Sequence, residues 1–157
     1  MDADFSHNPA DLNRLYEAAT QGNQLVIGSR YVNGGKVINW PYSRIFISKG
    51  ASLYTRLITF MPIADPTAGF VCYHHTLLQA INFNAIKFSG YAFQIEMKFA
   101  AYKLGFKIKE IPITFIDRQL GHSKMNKNII KEGILGVLLI QYKSWFRHYR
   151  KQVSTAK

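Results

Sequence analysis

The sequence has few acidic residues and only one cysteine. Its 157 residues contain 9 Asp and Glu against 20 Lys and Arg, which gives a formal net charge of +11. Because Cys72 stands alone, an internal disulfide is excluded, and a fold stapled by disulfides is excluded with it. A chain so poor in acids and rich in bases favours an anionic partner: nucleic acid, a membrane surface or a phosphorylated substrate.

Long apolar runs, internal repeats and low-complexity segments are also missing. The longest uncharged apolar run, residues 133–141, is far shorter than the roughly 20 residues that a membrane-spanning helix needs. Hydrophobic residues nevertheless make up 48% of the chain. At this length, that composition predicts one folded domain with its own core.

Apolar periodicity predicts alternating helices and strands. Helices are predicted over about residues 9–20, 43–60, 74–81, 91–104 and 127–150, and strands over 24–28, 70–73 and 107–115. The glycine- and proline-containing stretches 31–41 and 61–69 are predicted loops. For the second helix, the predicted core residues are Ile45, Phe46, Leu53, Leu57 and Ile58. The order αβαβααβα predicts an α/β protein with a mixed sheet.

Two aspartates in an Asp-x-Asp pattern stand near the start of the chain. In an extended segment the side chains of Asp2 and Asp4 point to the same side. Two such carboxylates can bind Mg²⁺ or Mn²⁺, and the metal usually also holds substrate phosphates. Acidic pairs beside a helix start, here Asn8-Pro9, are also common for purely structural reasons, so both interpretations stay open.

Five further polar stretches interrupt the predicted elements without an evident structural need. They are GSRY with NGG (28–35), Trp40…Arg44…Ser48, ADPTAGF (64–70), GYAFQIEM (90–97) and DRQLGHSK (117–124). Arg44 and Ser48 share a helix face because they are four residues apart. Structural interpretations exist as well: Arg30 and Arg118 as solubilising surface residues, and Asp117–Arg118 as an exposed ion pair that adds little stability.

Taken together and in this order, these stretches resemble the polyprenol-phosphate (dolichol-phosphate) mannosyltransferases, inverting glycosyltransferases with the GT-A fold. The resemblance runs from Asp2 to about Gly133, and its most specific parts are DR-x-x-G-x-SKM and GYxFQIEM. In such enzymes a nucleotide-binding half precedes the Asp-x-Asp motif. The resemblance therefore implies a truncated GT-A fold, with a mixed sheet flanked by helices. Residues 1–126 would be the C-terminal part of that domain, and residues 127–157 an amphipathic helix with a basic tail.

The resemblance also implies a reaction and a set of site residues. Mannose would pass from GDP-mannose to a polyprenyl (dolichyl) phosphate with inversion. The implied Mg²⁺ or Mn²⁺ ligands are Asp2, Asp4 and Ser6, where Ser6 replaces a Gln that is frequent in the family. The implied donor-binding residues are Asp2, Asp4, Gln94, Arg118, Ser123 and Lys124, of which Asp4, Arg118 and Lys124 act most directly in catalysis. The implied ligands of the acceptor phosphate are Arg30, Arg44 and Ser48, while Asp65 and Glu96 border the sugar site.

The C-terminal region is basic and aromatic. From Arg118 to Lys157 it carries nine Lys and Arg but one acid, Glu132. Trp145, Phe146 and Tyr149 follow an apolar helix, a pattern typical of a bilayer interface. A core helix with a basic solvent tail is the alternative. We expect a peripheral protein at the cytoplasmic face of an anionic membrane.

Two alternatives to this function stay open. A non-catalytic remnant that binds anionic membrane is one, and a transferase of another sugar such as glucose is a second. Nucleic-acid binding is not expected, because the sequence contains no recognisable groove-reading module.

Overall fold

A computed structural model describes residue 4 and residues 6–117 and 127–151, with only the backbone for residues 127–130. Its helices are α1 (Asp11–Thr20), α2 (Tyr42–Thr59), α3 (His75–Ala80), α4 (Gly90–Lys103) and α5 (Lys127–Lys143), with a single 3₁₀ turn at Phe83–Ala85. Its strands are β1 (Leu25–Ser29), β2 (Lys36–Ile38), β3 (Val71–Tyr73), β4 (Ile108–Pro112) and β5 (Thr114–Ile116). The predicted helices and strands are therefore present, and β2 is an addition.

The central sheet has three strands in the order β3-β1-β4. Strand β1 runs antiparallel to β3 and parallel to β4, so the predicted mixed sheet is confirmed. All five residues of β1 are buried. This burial on both faces explains why its sequence is a continuous apolar run and does not alternate with polar residues.

Helices cover both faces of this sheet. Alternate side chains of a strand point to opposite faces, and β1 follows that rule. Val26 packs with Leu15 of α1 on one face. Leu25 and Ile27 pack on the other face in a larger core that includes Phe99 of α4 and further residues of α5. The site described below opens at the end of β1, where this larger core gives way to polar side chains.

A second, two-stranded sheet was not predicted. Strand β2 pairs parallel with β5, and the predicted strand over 107–115 is divided into β4 and β5 at Ile113. The amide of Ile113 donates to the carbonyl of Ser29, and its own carbonyl accepts from Lys36. Ile113 thereby joins the two sheets, and β2 brings the loop that carries Trp40 beside β1.

The predicted core face of α2 is wrong at three of its five residues, whereas Ile58 is half-buried and packs against the larger core. Phe46, Leu53 and Leu57 are exposed, at 80%, 55% and 64%. The buried residues of this helix are instead Ser48, Ser52, Thr55 and Thr59. A hydroxyl can lie on a buried helix face when it donates to a carbonyl of its own helix, as Thr55 does to Ala51 and Thr59 to Thr55.

The chain also departs from the predicted helix at its C-terminal end. Helix α5 ends at Lys143, and the following segment folds back so that Arg150 pairs with Ile81. Tyr149, expected at a membrane interface, is 3% exposed and packs edge-on against Phe99. Trp145 and Phe146 are exposed, as predicted. Within the described ranges, no helix has the length and hydropathy to span a bilayer.

Candidate functional site

A cavity of about 680 Å³ opens between the end of β1, the β2–β5 sheet and helices α2, α4 and α5. Its polar lining includes Asp4, His7, Arg30, Trp40, Arg44, Ser48, Thr67 and Gln94. Its apolar lining includes Ile47, Ala51, Tyr54, Ile95, Ile134 and Val137. Five residues predicted as site residues from separate motifs, Asp4, Arg30, Arg44, Ser48 and Gln94, therefore meet in one cavity.

Arg30 is held by a buried carboxylate. Its Nε donates to Asp65 Oδ2 and its Nη2 to Asp65 Oδ1, both at 2.7 Å, and Nη2 also donates to Thr67 Oγ1 at 2.9 Å. The Asp65 side chain is fully buried and that of Arg30 is 11% exposed. Burial lowers the pKa of Arg30, but the hydrogen bonds and charge of Asp65 outweigh it, so the pKa is raised. Arg30 is thus a fixed cation at the cavity wall and not a surface solubiliser.

The loop that carries Asp65 is itself fixed by two further charged residues. Glu110 of β4 accepts from the amides of Ala64 and Asp65, at 2.6 and 3.0 Å. Lys98 of α4 is fully buried, and its Nζ donates to the carbonyl of Ala68 at 2.7 Å. Burial lowers the pKa of Lys98 to about 7, although the negative charge of Asp65 acts to raise it. Asp65 therefore has a structural task behind Arg30, which the sequence alone did not assign.

A glycine lets the loop after β1 fold back on Arg30. A Cβ at Gly35 would lie 2.7 Å from the carbonyl carbon and oxygen of Arg30. No side chain fits there without moving the backbone. This close approach explains the second glycine of the NGG stretch and fixes the base of the Arg30 side chain.

Arg44 is the second cation of the cavity. Its guanidinium lies 3.9 Å from the centroid of the Trp40 ring, and its Nη1 donates to Asp117 Oδ1 at 2.9 Å. Its Nε is buried and has no hydrogen-bond partner in the described part of the chain. A buried cationic donor that lacks an acceptor is suited to an anionic ligand.

Ser48, one turn after Arg44, is already part of a hydrogen-bonded pair. The hydroxyl of Tyr31 donates to Ser48 Oγ at 2.6 Å. The hydrogen of Ser48 Oγ can then be donated elsewhere, because a hydroxyl can accept and donate at once. Burial raises the pKa of Tyr31, partly offset by the charge of Arg30, so Tyr31 stays protonated and remains a donor.

The predicted metal ligands are described only in part. Asp2 lies outside the described residues, whereas Asp4 lines the cavity and its Oδ1 accepts from the amide of Ser6 at 3.1 Å. Ser6 Oγ is buried without a hydrogen-bond partner among the residues that the structure covers. Within those residues, no cluster of three or more His, Cys, Asp or Glu side chains could hold a metal. The oxygen atoms of Asp4 and Ser6 fit a hard divalent cation, and an ion there would need further oxygen ligands.

Helix α4 contributes two residues with different tasks. Gln94 lines the cavity, and its Oε1 is buried without a partner in the described ranges. Glu96 is fully buried, accepts from the amides of Lys87 and Phe88, and pairs with Arg147 at 2.6 Å. Glu96 therefore ties the segment after α5 to α4 and is not among the residues lining the cavity.

The far end of the cavity is apolar and lies between α2 and α5. Tyr54 of α2 donates its hydroxyl to the carbonyl of Ile134 of α5 at 3.0 Å. Gly50 and Ala51 on α2 and Gly133 on α5 also line this end, which small residues keep open. The cavity thus has a cationic end and an apolar end.

Arg118, Gly121, Ser123 and Lys124 lie outside the described residues, so their predicted roles stay predictions. The sequence analysis assigned no site role to Tyr31 or Trp40, although both stand inside quoted motifs. Their spacing carried a signal. Tyr31 directly follows Arg30, and Trp40 stands four residues before Arg44. The buried position of Lys98 had no sequence signal, since a lysine on a helix is usually exposed.

The sequence is similar to glycosyltransferases of known families. The sequence profile of the family described as glycosyl transferase family 2 matches residues 1–81, just over half of the chain. The undecaprenyl-phosphate mannosyltransferase of Micrococcus luteus is 48% identical over 137 residues, which cover 87% of this chain and 56% of that protein. The polyprenol monophosphomannose synthase of Mycolicibacterium smegmatis is 45% identical, with 87% and 52% covered.

A more distant relative comes from an archaeon. The dolichol-phosphate mannosyltransferase of Pyrococcus furiosus is 38% identical over 134 residues, which cover 84% of this chain and 37% of that protein. The chain therefore spans about half the length of the two bacterial relatives and less of the archaeal one.

Proposed function

Because this chain belongs to glycosyl transferase family 2, we propose that it forms the acceptor-binding part of an enzyme that transfers mannose from GDP-mannose to a polyprenyl phosphate with inversion. The names of the three relatives support the reaction, and the cavity supports the acceptor. One observation carries the proposal: Arg30, Arg44 and Ser48 line one end of a cavity whose other end, between α2 and α5, is apolar. That arrangement matches a phosphate joined to an isoprenoid chain.

In this proposal the two arginines bind the acceptor phosphate and leave one of its oxygens free to react. A phosphate monoester is already largely dianionic near neutral pH, since its second pKa is about 6. It therefore needs no strong general base. The oxygen forms a bond to C1 of mannose while the bond from C1 to the GDP oxygen breaks, and GDP leaves with the electron pair. Attack from the face opposite GDP gives inversion.

The donor side rests on residues described only in part. Asp2, Asp4 and Ser6 would hold a Mg²⁺ or Mn²⁺ ion, which when bound neutralises charge on the leaving diphosphate. Arg118, Ser123 and Lys124 would contact the same diphosphate. Gln94, whose Oε1 is buried without a partner in the described ranges, would accept from a sugar hydroxyl.

We further propose that the protein lies at the cytoplasmic face of an anionic membrane. Helix α2 exposes an apolar stripe on one face, comprising Tyr42, Phe46, Leu53 and Leu57, and Phe60 directly after the helix is exposed as well, as are Lys49 and Arg56. Trp145 and Phe146 are exposed after α5. Aromatic and basic residues beside apolar ones suit the interface between lipid headgroups and acyl chains. A protein placed there would reach a lipid-borne phosphate without extracting it from the bilayer.

The test is a transfer assay with radiolabelled GDP-mannose, MnCl₂ and a polyprenyl phosphate, followed by extraction of the lipid product. In an enzyme that joins this chain to a nucleotide-binding half, we expect mannosyl phosphoryl lipid with the wild-type sequence and a loss of about tenfold to a hundredfold in Arg44→Gln, from one missing charge-assisted phosphate contact. Arg14→Gln, on α1 and not among the residues lining the cavity, is the matched control.

No product from that joined enzyme, with lipid binding retained, would contradict the catalytic role. It would favour a non-catalytic protein that binds anionic membrane, for which the partial coverage of the relatives is the supporting observation. Product from UDP-glucose but not GDP-mannose would replace the sugar and keep the acceptor site.

A further inference from the structure

The indole of Trp40 contacts both cations of the cavity. The Arg44 guanidinium carbon lies 3.9 Å from the centroid of the ring, and that of Arg30 lies 5.5 Å from it. Phe115 of β5 packs edge-on against the same indole at 5.3 Å. A guanidinium within about 6 Å of an aromatic ring is attracted to its face, and the attraction grows when water is excluded.

The backbone that presents Trp40 is restrained on both sides. Asn39 adopts a left-handed conformation, with φ 64°, a region that asparagine tolerates better than most residues. Pro41 follows Trp40 and restricts its backbone to extended conformations. The indole is therefore held by a turn with little freedom, and it can act as a fixed support for a flexible side chain.

Arg44 needs such a support more than Arg30 does. Two side-chain nitrogens of Arg30 donate to the fully buried Asp65, whereas among the described residues the side chain of Arg44 has one hydrogen bond, to the part-exposed Asp117. One hydrogen bond leaves the plane of a guanidinium free to rotate about that contact, and a stacked ring fixes the plane.

We propose that Trp40 is a positioning residue for the acceptor phosphate: its ring fixes the plane of the Arg44 guanidinium so that the donors of that group face the cavity. The inference rests on the proposed function, since it takes the anion of the cavity to be the phosphate of an isoprenoid lipid. Trp40 acts through Arg44, and its own contact with the ligand is not required.

The test measures binding of geranyl phosphate, a short water-soluble isoprenyl phosphate, by calorimetry. Trp40→Leu should weaken binding by about threefold to thirtyfold, which corresponds to the usual range of a partly desolvated cation–π contact. Trp40→Phe retains a ring and should recover most of the affinity. Tyr16→Leu removes an exposed aromatic on α1 and should bind like wild type. Denaturation midpoints of all variants identify any that are merely destabilised.

A double-variant comparison separates positioning from a general structural role. In the Arg44→Gln background, Trp40→Leu should cause little further loss, because the group that it positions is gone. A second reporter is the emission of Trp40 in a Trp145→Phe chain, where it is the remaining tryptophan of the two in the sequence. Geranyl phosphate should change that emission, and the change should disappear in Arg44→Gln.

Each other outcome has a defined meaning. Equal losses in Trp40→Phe and Trp40→Leu would assign the effect to the indole Nε1–H and overturn the role of the ring. Unchanged binding in Trp40→Leu, with weakened binding in Arg44→Gln, would overturn this inference and leave the proposed function standing. No binding by the wild-type chain would overturn both.

Discussion

Replacing Asp65 with asparagine should destabilise the protein more than any change at a surface carboxylate. The Asp65 carboxylate is fully buried and accepts from the amide, Nε and Nη2 of Arg30, at 3.1, 2.7 and 2.7 Å. Asparagine retains a similar shape but has no charge, so the Arg30 guanidinium would be left nearly buried and unpaired. Breaking a buried pair in this way costs about 3–5 kcal/mol. The total free energy of unfolding of a folded domain is usually about 5–15 kcal/mol.

Removing both partners should be far less harmful than removing one. In Arg30→Met combined with Asp65→Leu, no charge of this pair remains to be desolvated, and well-packed apolar replacements of buried pairs are often close to neutral. The cycle of wild type, Arg30→Met, Asp65→Leu and the double variant should therefore give a coupling energy of at least about 3 kcal/mol, because the double variant avoids most of both single losses.

Urea denaturation followed by far-ultraviolet circular dichroism measures these energies, because tryptophan emission would also report local changes beside Arg30. Asp11→Asn is the matched control: the side chain of Asp11 is also nearly buried, at 12% exposed, but that of its partner Arg14 is 48% exposed, so water can solvate the cation left behind and the loss should be only about 1 kcal/mol. If Asp65→Asn is no more destabilising than Asp11→Asn, or if the cycle is additive, Arg30 is not fixed by Asp65 as described.

Two further predictions concern residues behind the cavity. Burial lowers the pKa of Lys98 to about 7 from its ordinary value of 10.5, so between these values the unfolded chain binds a proton that the folded chain does not. The unfolding free energy of wild type should therefore rise with pH in that window by up to about 1.4 kcal/mol per pH unit, and Lys98→Met should remove this slope. Urea titrations of both proteins at several pH values measure it, and equal slopes for the two proteins would contradict the prediction. Tyr31→Phe removes the donor to Ser48 Oγ and should weaken geranyl phosphate binding by about threefold to tenfold, whereas an unchanged dissociation constant in calorimetry would show that Ser48 needs no such support.

The sequence predicted the central sheet well because burial and apolar pattern agree there. The runs that became β1 and β3 are short and apolar and each follows a glycine-containing stretch, so their length excludes a helix. Strand β2 was missed because it has three residues and follows two glycines. Its strand conformation comes from pairing with β5, a contact distant in sequence that no local pattern predicts.

In helix α2, the apolar pattern of the sequence and the burial of the side chains disagree. Phe46, Leu53 and Leu57 are exposed, and the fully buried positions of the helix are occupied by hydroxyl-bearing residues. Sequence periodicity finds the two faces of a helix but does not say what medium each face meets. The same limit applies after α5, where Tyr149 is drawn into the core next to Phe99.

The candidate site was predicted as separate motifs, and the structure brings its described members together. Arg30, Arg44, Ser48 and Gln94 could be named from the resemblance, because each stands in a quoted stretch. The supports of these residues could not, since Asp65 reaches Arg30 across 35 positions and Lys98 reaches Ala68 across 30. Such contacts depend on tertiary packing, which single-sequence reasoning does not supply.

The proposed acceptor site is tested most directly by comparing geranyl phosphate with geraniol in calorimetric titrations of the wild-type chain and Arg44→Gln. The two ligands share the isoprenoid chain and differ in the phosphate. We expect the phosphate to bind wild type more tightly than the alcohol, and Arg44→Gln to weaken the phosphate about tenfold to a hundredfold while leaving the alcohol unchanged. Equal affinities of wild type for the two ligands, or undiminished phosphate binding in Arg44→Gln, would contradict a phosphate site at Arg30 and Arg44.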